Sequence, residues 1–368
     1  MSGQVAEAKT RTASARLTPT ALDKIDARMR QLLRETAVPG AALAIIQDGE
    51  VSWQRAYGVK DTATGAPVDA DTVFEAASVS KTAFAYVALK LCEKGTLGLD
   101  VPLTRYTKQR FFADDPRLDE VTARHALAHT TGFPDWRSGS PLRCESKPGE
   151  RFLYSGEGYY YLQSVLTELV GRRLAEPCGR YEADLEVCAT DFDDFMRRSL
   201  LEPLGMAASG YVWREGFAAH AARPHDLQGR PLPPKRPNAG DVARYGAVGE
   251  LRTTVADYGK FLRAVLTRPK GDAFLGAAMH AEMVRPQVKL GPEVKIDGAD
   301  SWALGWAVQE RPTGHVILHS GGQAGFRSLT MASLARKSGF VIFTNSDKGS
   351  LICYDRTLGD LLTPLLAG

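Results

Sequence analysis

Apolar positions recur at helical spacing near both ends of the chain and at strand spacing just inside them. Leu22, Ile25, Met29 and Leu32/Leu33 share one face of a helix predicted over about Thr20–Glu35. Thr18-Pro19 caps that helix and Val38-Pro39-Gly40 ends it. Ala41–Gln47 and Val51–Tyr57, joined by Asp48-Gly49, read as a β-hairpin. Near the other end Trp302–Glu310, Val316–His319, Leu329–Leu334 and Phe340–Thr344 are strand-like. Thr313-Gly314, Gly321-Gly322 and Ser338-Gly339 are the turns between them. An amphipathic helix is predicted over about Leu351–Leu366.

Between these ends the period changes from two to 3.6. Helices are predicted over Val79–Glu93, Ala123–His129, Tyr159–Leu169, Asp191–Leu200 and Val255–Leu266, with Pro/Gly-rich surface loops at Pro224–Gly240 and Lys289–Gly298. The pattern predicts an α+β fold of two interleaved lobes behind a flexible tail, residues 1–16. Residues 17–75 and 290–368 form a five-stranded antiparallel sheet with terminal helices, and residues 76–289 form an inserted, mostly helical lobe.

Composition narrows the function classes. The 368 residues are 44% hydrophobic and 24% charged, as in a folded soluble domain, and 46 basic against 43 acidic residues give a net charge of +3. No dense basic block occurs, which argues against a nucleic-acid partner. The longest apolar runs are too short to span a bilayer. The polar stretch Met1–Arg16 does not read as a secretory signal, so the expected location is cytoplasmic, or periplasmic if a leader was removed. Cys92, Cys144, Cys178, Cys188 and Cys353 have no CxxC spacing, which argues against a zinc ribbon or a disulfide scaffold; Cys178 and Cys188 are either a small-loop pair or two free thiols.

The chain lacks G-x-S-x-G, H-E-x-x-H and a P-loop. It does contain Ser78-Val79-Ser80-Lys81. An S-x-x-K alone is weak, because about one chance match is expected in a chain like this. Its setting adds weight. Val73–Ala77 leads into a predicted helix, so Ser78 falls at a helix N-terminus and Lys81 shares its face. A lysine in an apolar site loses basicity and can then take the serine proton. Tyr154, in Lys147–Tyr159, is a second candidate: a phenol beside a cationic lysine can ionise below its usual value and act as a base. The third element is His319-Ser320-Gly321-Gly322, at the end of a predicted strand. Its small residues allow close substrate approach, with the N–H groups of Gly322 and Ser78 facing one oxyanion.

Together these elements resemble the serine β-lactamase and penicillin-binding-protein superfamily, in particular class C β-lactamases, D-aminopeptidases and related esterases. The resemblance extends to Val38-Pro39-Gly40, Arg124–Pro134, Leu201–Met206 and His319–Phe326. It implies that Ser78 is the acylated nucleophile, Lys81 its activating partner and Tyr154 a proton relay, with Ser78 and Gly322 forming the oxyanion hole. His319, Ser320, Gly321 and Phe326 become expected substrate contacts.

Two positions depart from the family pattern. The Y-x-N element reads Tyr154-Ser155-Gly156, without the Asn side chain, and the K-T-G element reads His319-Ser320-Gly321, with an imidazole that is mostly neutral at pH 7. Both changes remove anchors for a β-lactam, and an ester needs neither. The expected activity is therefore carboxylic ester hydrolysis on a small-molecule substrate, with no metal or organic cofactor. The alternatives are amide hydrolysis (a D-amino-acid peptidase or weak class C-like β-lactamase), or an acyltransferase or non-catalytic binding module on the same fold. Oligomeric state is left open. His125 and His129 are spaced for a metal but have no third ligand. Trp136, Trp302, Trp306 and Phe326 are candidate pocket walls, though aromatic residues are core by default.

Overall fold

A computed structural model describes residues 16–107, 115–137, 142–171, 182–234, 238–312 and 314–367. Residues 1–15 of the expected tail, Thr313 of an expected turn and Cys178 lie outside the described residues.

The strands are β1 (Gly40–Gln47), β2 (Glu50–Asp61), β3 (Ala66–Pro67), β4 (Phe74–Glu75), β5 (Arg252–Thr253), β6 (Val288–Lys289), β7 (Ser301–Trp302), β8 (Ala307–Gln309), β9 (Val316–Gln323), β10 (Phe326–Ser333) and β11 (Ser338–Thr344). The helices are α1 (Pro19–Thr36), α2 (Ser80–Glu93), α3 (Ala123–Leu127), α4 (Gly156–Val170), α5 (Glu182–Met196), α6 (Ala239–Gly249), α7 (Val255–Thr267), α8 (Ala277–Val284), α9 (Ser350–Cys353) and α10 (Arg356–Leu366).

Among the described residues one antiparallel sheet runs β3-β2-β1-β11-β10-β9-β8-β7-β6, and β4 pairs with β5 apart from it. The first hairpin and the last strands meet directly, with Leu43 opposite Ile342 and Ile45 opposite Phe340. All of β1 is buried because both its faces are covered. Ile25, Met29 and Leu32 of α1 and Leu358, Leu362 and Leu365 of α10 cover the Leu43 face. Ala42, Ala44 and Ile46 face the opposite core, with Phe261 of α7 and Phe84 of α2. Burying each large aliphatic or aromatic side chain contributes about 1.5–3 kcal/mol.

The α+β class stands, but the sheet has nine strands rather than five. The predicted strand Trp302–Glu310 is broken in two at Gly305, which has φ of 88°. A Cβ there would stand 2.4 Å from the Ala85 Cβ, so the backbone turns tightly against α2. The edge strands β3 and β6 are two residues long, too short for alternation to reveal. The predicted terminal helix is also divided. Asp355 ends the short α9 segment and caps α10, accepting from the Leu358 N–H at 2.7 Å while its carboxylate pairs with Arg28 of α1.

α6 follows the Pro/Gly-rich stretch and was not predicted, because Gly240, Gly246 and Gly249 suppress the helical signal. It carries a capping box nonetheless: Asn238 accepts from the Asp241 N–H at 2.9 Å and Asp241 accepts from the Asn238 N–H at 3.2 Å. Gly246 lets α6 lie against α5, since a Cβ there would stand 2.4 Å from Cε1 of Phe192. A Gly246→Ala change should therefore lower stability by about 1–3 kcal/mol through overpacking, against the roughly 1 kcal/mol that Ala normally gains in a helix. Chemical denaturation checks the sign, and a stabilised variant would refute the close-packing account.

Candidate active site

Ser78 lies in a 3-10 turn, Ala77–Val79, one step before α2. This refines the expectation of a serine on the α-helix terminus itself. Ala77 has φ of 50°, a left-handed conformation that costs a non-glycine residue about 1–3 kcal/mol. The backbone on either side is tied down. The Ala76 N–H donates to the Leu251 carbonyl at 2.9 Å, the Ser328 hydroxyl donates to the Ala76 carbonyl at 2.8 Å, and the Leu251 N–H donates to the Ser80 hydroxyl at 3.1 Å.

Lys81 follows on the first turn of α2 and is buried. Its Nζ donates to the Ser78 Oγ at 3.3 Å and to the Val248 carbonyl of α6 at 2.9 Å. The ammonium also lies 5.1 Å from the Tyr154 ring centre and 5.6 Å from that of Tyr159. Burial pulls its pKa down to about 7, with the Asp135 carboxylate opposing in part. A substantial neutral fraction exists near pH 7, as a proton acceptor for Ser78 requires.

Tyr154 bonds to Ser78 through its hydroxyl. Contrary to the expectation of an acidified phenol, burial raises its pKa, and the Ser78 bond only partly offsets this. At neutral pH Tyr154 is a proton donor. Its ring stacks on His129 at 4.2 Å and meets Trp302 edge-on at 6.0 Å. His129 ends the α3 segment at φ of 54°, and its Nδ1 accepts from the Ser155 N–H at 3.0 Å. Burial holds this imidazole neutral, with Lys81 adding to the effect. His125 Nδ1 instead accepts from the Thr122 N–H at 3.3 Å and completes the α3 cap, so the two histidines have separate structural partners.

β9 forms the opposite wall. β8 pairs with it only as far as Leu318, so one edge from His319 to Gln323 faces the Ser78 turn. A Cβ on Gly321 would stand 2.6 Å from the Ala76 carbonyl oxygen and 3.0 Å from the Ser78 nitrogen. Gly322 lines the cleft beside Ser78. The side chains of the other expected contacts are engaged within the protein. His319 is buried against Trp302, donates from Nδ1 to the Ser320 carbonyl at 2.7 Å, and is pushed down to about 3 by burial and by Lys81. The Ser320 hydroxyl bonds to Asp297 and Tyr354. Phe326 is buried in the core, where apolar packing takes its whole ring. Ser320 and Phe326 are therefore corrected from substrate contacts to supporting positions, His319 stays beside Lys81, and Gly321 acts through its missing side chain.

The cleft has a volume of about 590 Å³, and its walls include Trp136, Glu157, Tyr160, Arg244, Tyr245 and Glu250. Trp302 and Trp306 belong to the buried interior. Glu157, on the first turn of α4, accepts two bonds of 2.6 and 2.9 Å from the Arg137 guanidinium and one of 3.1 Å from its backbone N–H. Trp136 packs edge-on to Tyr245 at 5.4 Å. It also fills the space beside Gly156, where a Cβ would stand 2.6 Å from the indole. An indole thus occupies the place where the Y-x-N pattern has its Asn side chain.

A family model described as Beta-lactamase matches residues 25–362. Esterase EstB of Burkholderia gladioli is 36% identical over 136 residues, which are 33% of this chain and 34% of the esterase. The protein flp of Staphylococcus aureus strain MRSA252 is 22% identical over 350 residues, 90% of this chain and 64% of flp. The chain thus spans less than two thirds of either relative. The solved structure of a class C beta-lactamase superposes with a TM-score of 0.72 at 18% identity, covering 95% of this chain and 97% of that one, which shows a shared fold.

A Gly156→Asn change should displace the Trp136 indole from its slot at little cost in stability, because the contact is made by the outer edge of a 45% exposed ring. A crystal structure of the variant with Trp136 unmoved would contradict this account.

Proposed function

The chain belongs to the beta-lactamase family, and on that premise we propose that it is a serine hydrolase that cleaves carboxylic esters through an acyl-enzyme on Ser78. The observation that carries this reading is the buried Lys81 amine, with a pKa near 7, at 3.3 Å from the Ser78 hydroxyl that Tyr154 also bonds.

In the first half-reaction the Ser78 proton passes to neutral Lys81 while Oγ attacks the ester carbonyl carbon. The tetrahedral oxyanion is held by the N–H groups of Ser78 and Gly322. The C–O bond to the leaving group breaks, and that oxygen takes the Tyr154 proton. Lys81 then reprotonates Tyr154, which leaves an acyl-enzyme, a free alcohol and neutral Lys81. In the second half a water gives its proton to Lys81 and attacks the acyl carbon. As the bond between the acyl carbon and Oγ breaks, Lys81 returns that proton to Oγ, so Ser78 departs as the free hydroxyl, Lys81 is neutral again and the product is a carboxylic acid.

The ester preference rests on the two altered positions. Neutral His319 gives a substrate carboxylate no cation, and Trp136 occupies the space of an amide-anchoring Asn. Amide hydrolysis, by a D-amino-acid peptidase or a class C-like β-lactamase, is the second reading. It is favoured by the Arg244 guanidinium on the cleft wall, which a carboxylate-bearing amide could use.

A p-nitrophenyl ester series, a chromogenic cephalosporin and a fluorophosphonate probe test the assignment beside Ser78→Ala. Wild type should hydrolyse the esters and be labelled, and the variant should lose about 10³-fold or more in kcat. Cephalosporin turnover well above ester turnover would favour the second reading, and a wild type neither labelled nor active on any ester would refute the first. Because protonated Lys81 cannot accept the serine proton, kcat/KM should fall about tenfold per pH unit below about 7. A flat profile between pH 5 and about 7 would remove Lys81 from the base role.

A further inference from the structure

We propose that Gln323, tied to Glu75, is a positioning residue that sets the spacing of the Ser78 and Gly322 N–H groups; this rests on the reading of those two groups as the oxyanion site. Glu75 lies three residues before Ser78 on β4, and Gln323 directly follows Gly322 on β9. The Gln323 carboxamide donates from Nε2 to the Glu75 Oε2, so it bridges the two segments that carry the two N–H groups.

Glu75 is itself anchored. Its Oε1 accepts from Nη2 of Arg252 at 2.9 Å, across the β4–β5 pair. The Arg252 guanidinium is 2% exposed, lies 5.8 Å from the Trp213 ring centre, and has Glu250 of the cleft wall at 3.7 Å. A buried pair of this kind contributes little net stability, but its directional bonds hold one arrangement. On the other side, the Gln323 Oε1 lies 3.4 Å from where a Cβ on Gly249 would stand, so α6 packs closely over the carboxamide.

The tie matters because Gly322 is otherwise held from one side. β10 pairs with β9 through Gln323, while β8 stops at Leu318. Beyond Gln323 the chain turns at Ala324-Gly325. The Ser328–Ala76 bond fixes the nucleophile segment to β10, and the Gln323–Glu75 bond does the same from the tip of β9. A shift of about 1 Å in a group that must meet the oxyanion is enough to cost on the order of 100-fold in rate.

The test uses the whole chain and three variants. Gln323 is partly exposed, so its replacement leaves the buried Glu75–Arg252 pair in place. Q323L should lower kcat about 10- to 100-fold with KM within about twofold, and should slow fluorophosphonate labelling by the same factor, since the phosphonyl oxygen uses the same N–H groups. Q323E, which sets two carboxylates face to face, should lose more. The E75Q/Q323E double change reverses donor and acceptor and should recover most of that further loss. Equal kcat and labelling rates in Q323L and wild type would overturn the positioning role while leaving the Ser78 assignment intact. Failure of wild type itself to label at Ser78 would instead bring down the oxyanion reading beneath it.

Discussion

The site depends on one desolvated amine. Lys81 sits in the first turn of α2 with almost no exposure, and its ammonium meets a carbonyl, a hydroxyl and the faces of two tyrosines. None of these carries a formal negative charge and the Asp135 carboxylate opposes only in part, so burial destabilises the charged form more than its surroundings stabilise it. The result is an amine balanced between its two states near neutral pH. The same enclosure moves its neighbours in the opposite functional sense. Tyr154 is kept protonated and His129 and His319 are kept neutral, so of these four buried groups Lys81 alone balances between its two states near neutral pH.

Keeping that amine dry requires walls from distant parts of the chain. α6 supplies the Val248 carbonyl, α4 supplies Tyr159, and the loop before α4 supplies Tyr154. Trp302, from a two-residue strand, underpins both Tyr154 and His129. The Ser78 turn is held in a left-handed conformation at Ala77 by bonds from β10 and from the segment after α6. Strain of this size persists only where surrounding contacts over-determine the backbone.

Much of this was legible in residue order. The terminal helices and the central strands appear as periodic apolar stripes, and the spacing Ser78–Lys81 places both side chains on one turn. The short spacings were readable because local geometry decides them. α6 was not, because its three glycines erase the helical signal while serving packing that only Phe192 explains. The break at Gly305 was missed for a related reason: it answers to Ala85, more than two hundred positions earlier.

The roles of individual groups divide along the same line. Residue types and their order determined the fold class, the Ser78, Lys81 and Tyr154 trio, and the absence of the Asn and Lys anchors at Gly156 and His319. Only the tertiary structure decided that burial keeps the Tyr154 phenol protonated, that the Ser320 hydroxyl and the Phe326 ring are engaged within the protein, and that Trp136 fills the space left at Gly156. Protonation and reach follow from burial, and burial at this site is made by contacts such as Lys81 to Val248, 167 positions apart, which no local pattern encodes.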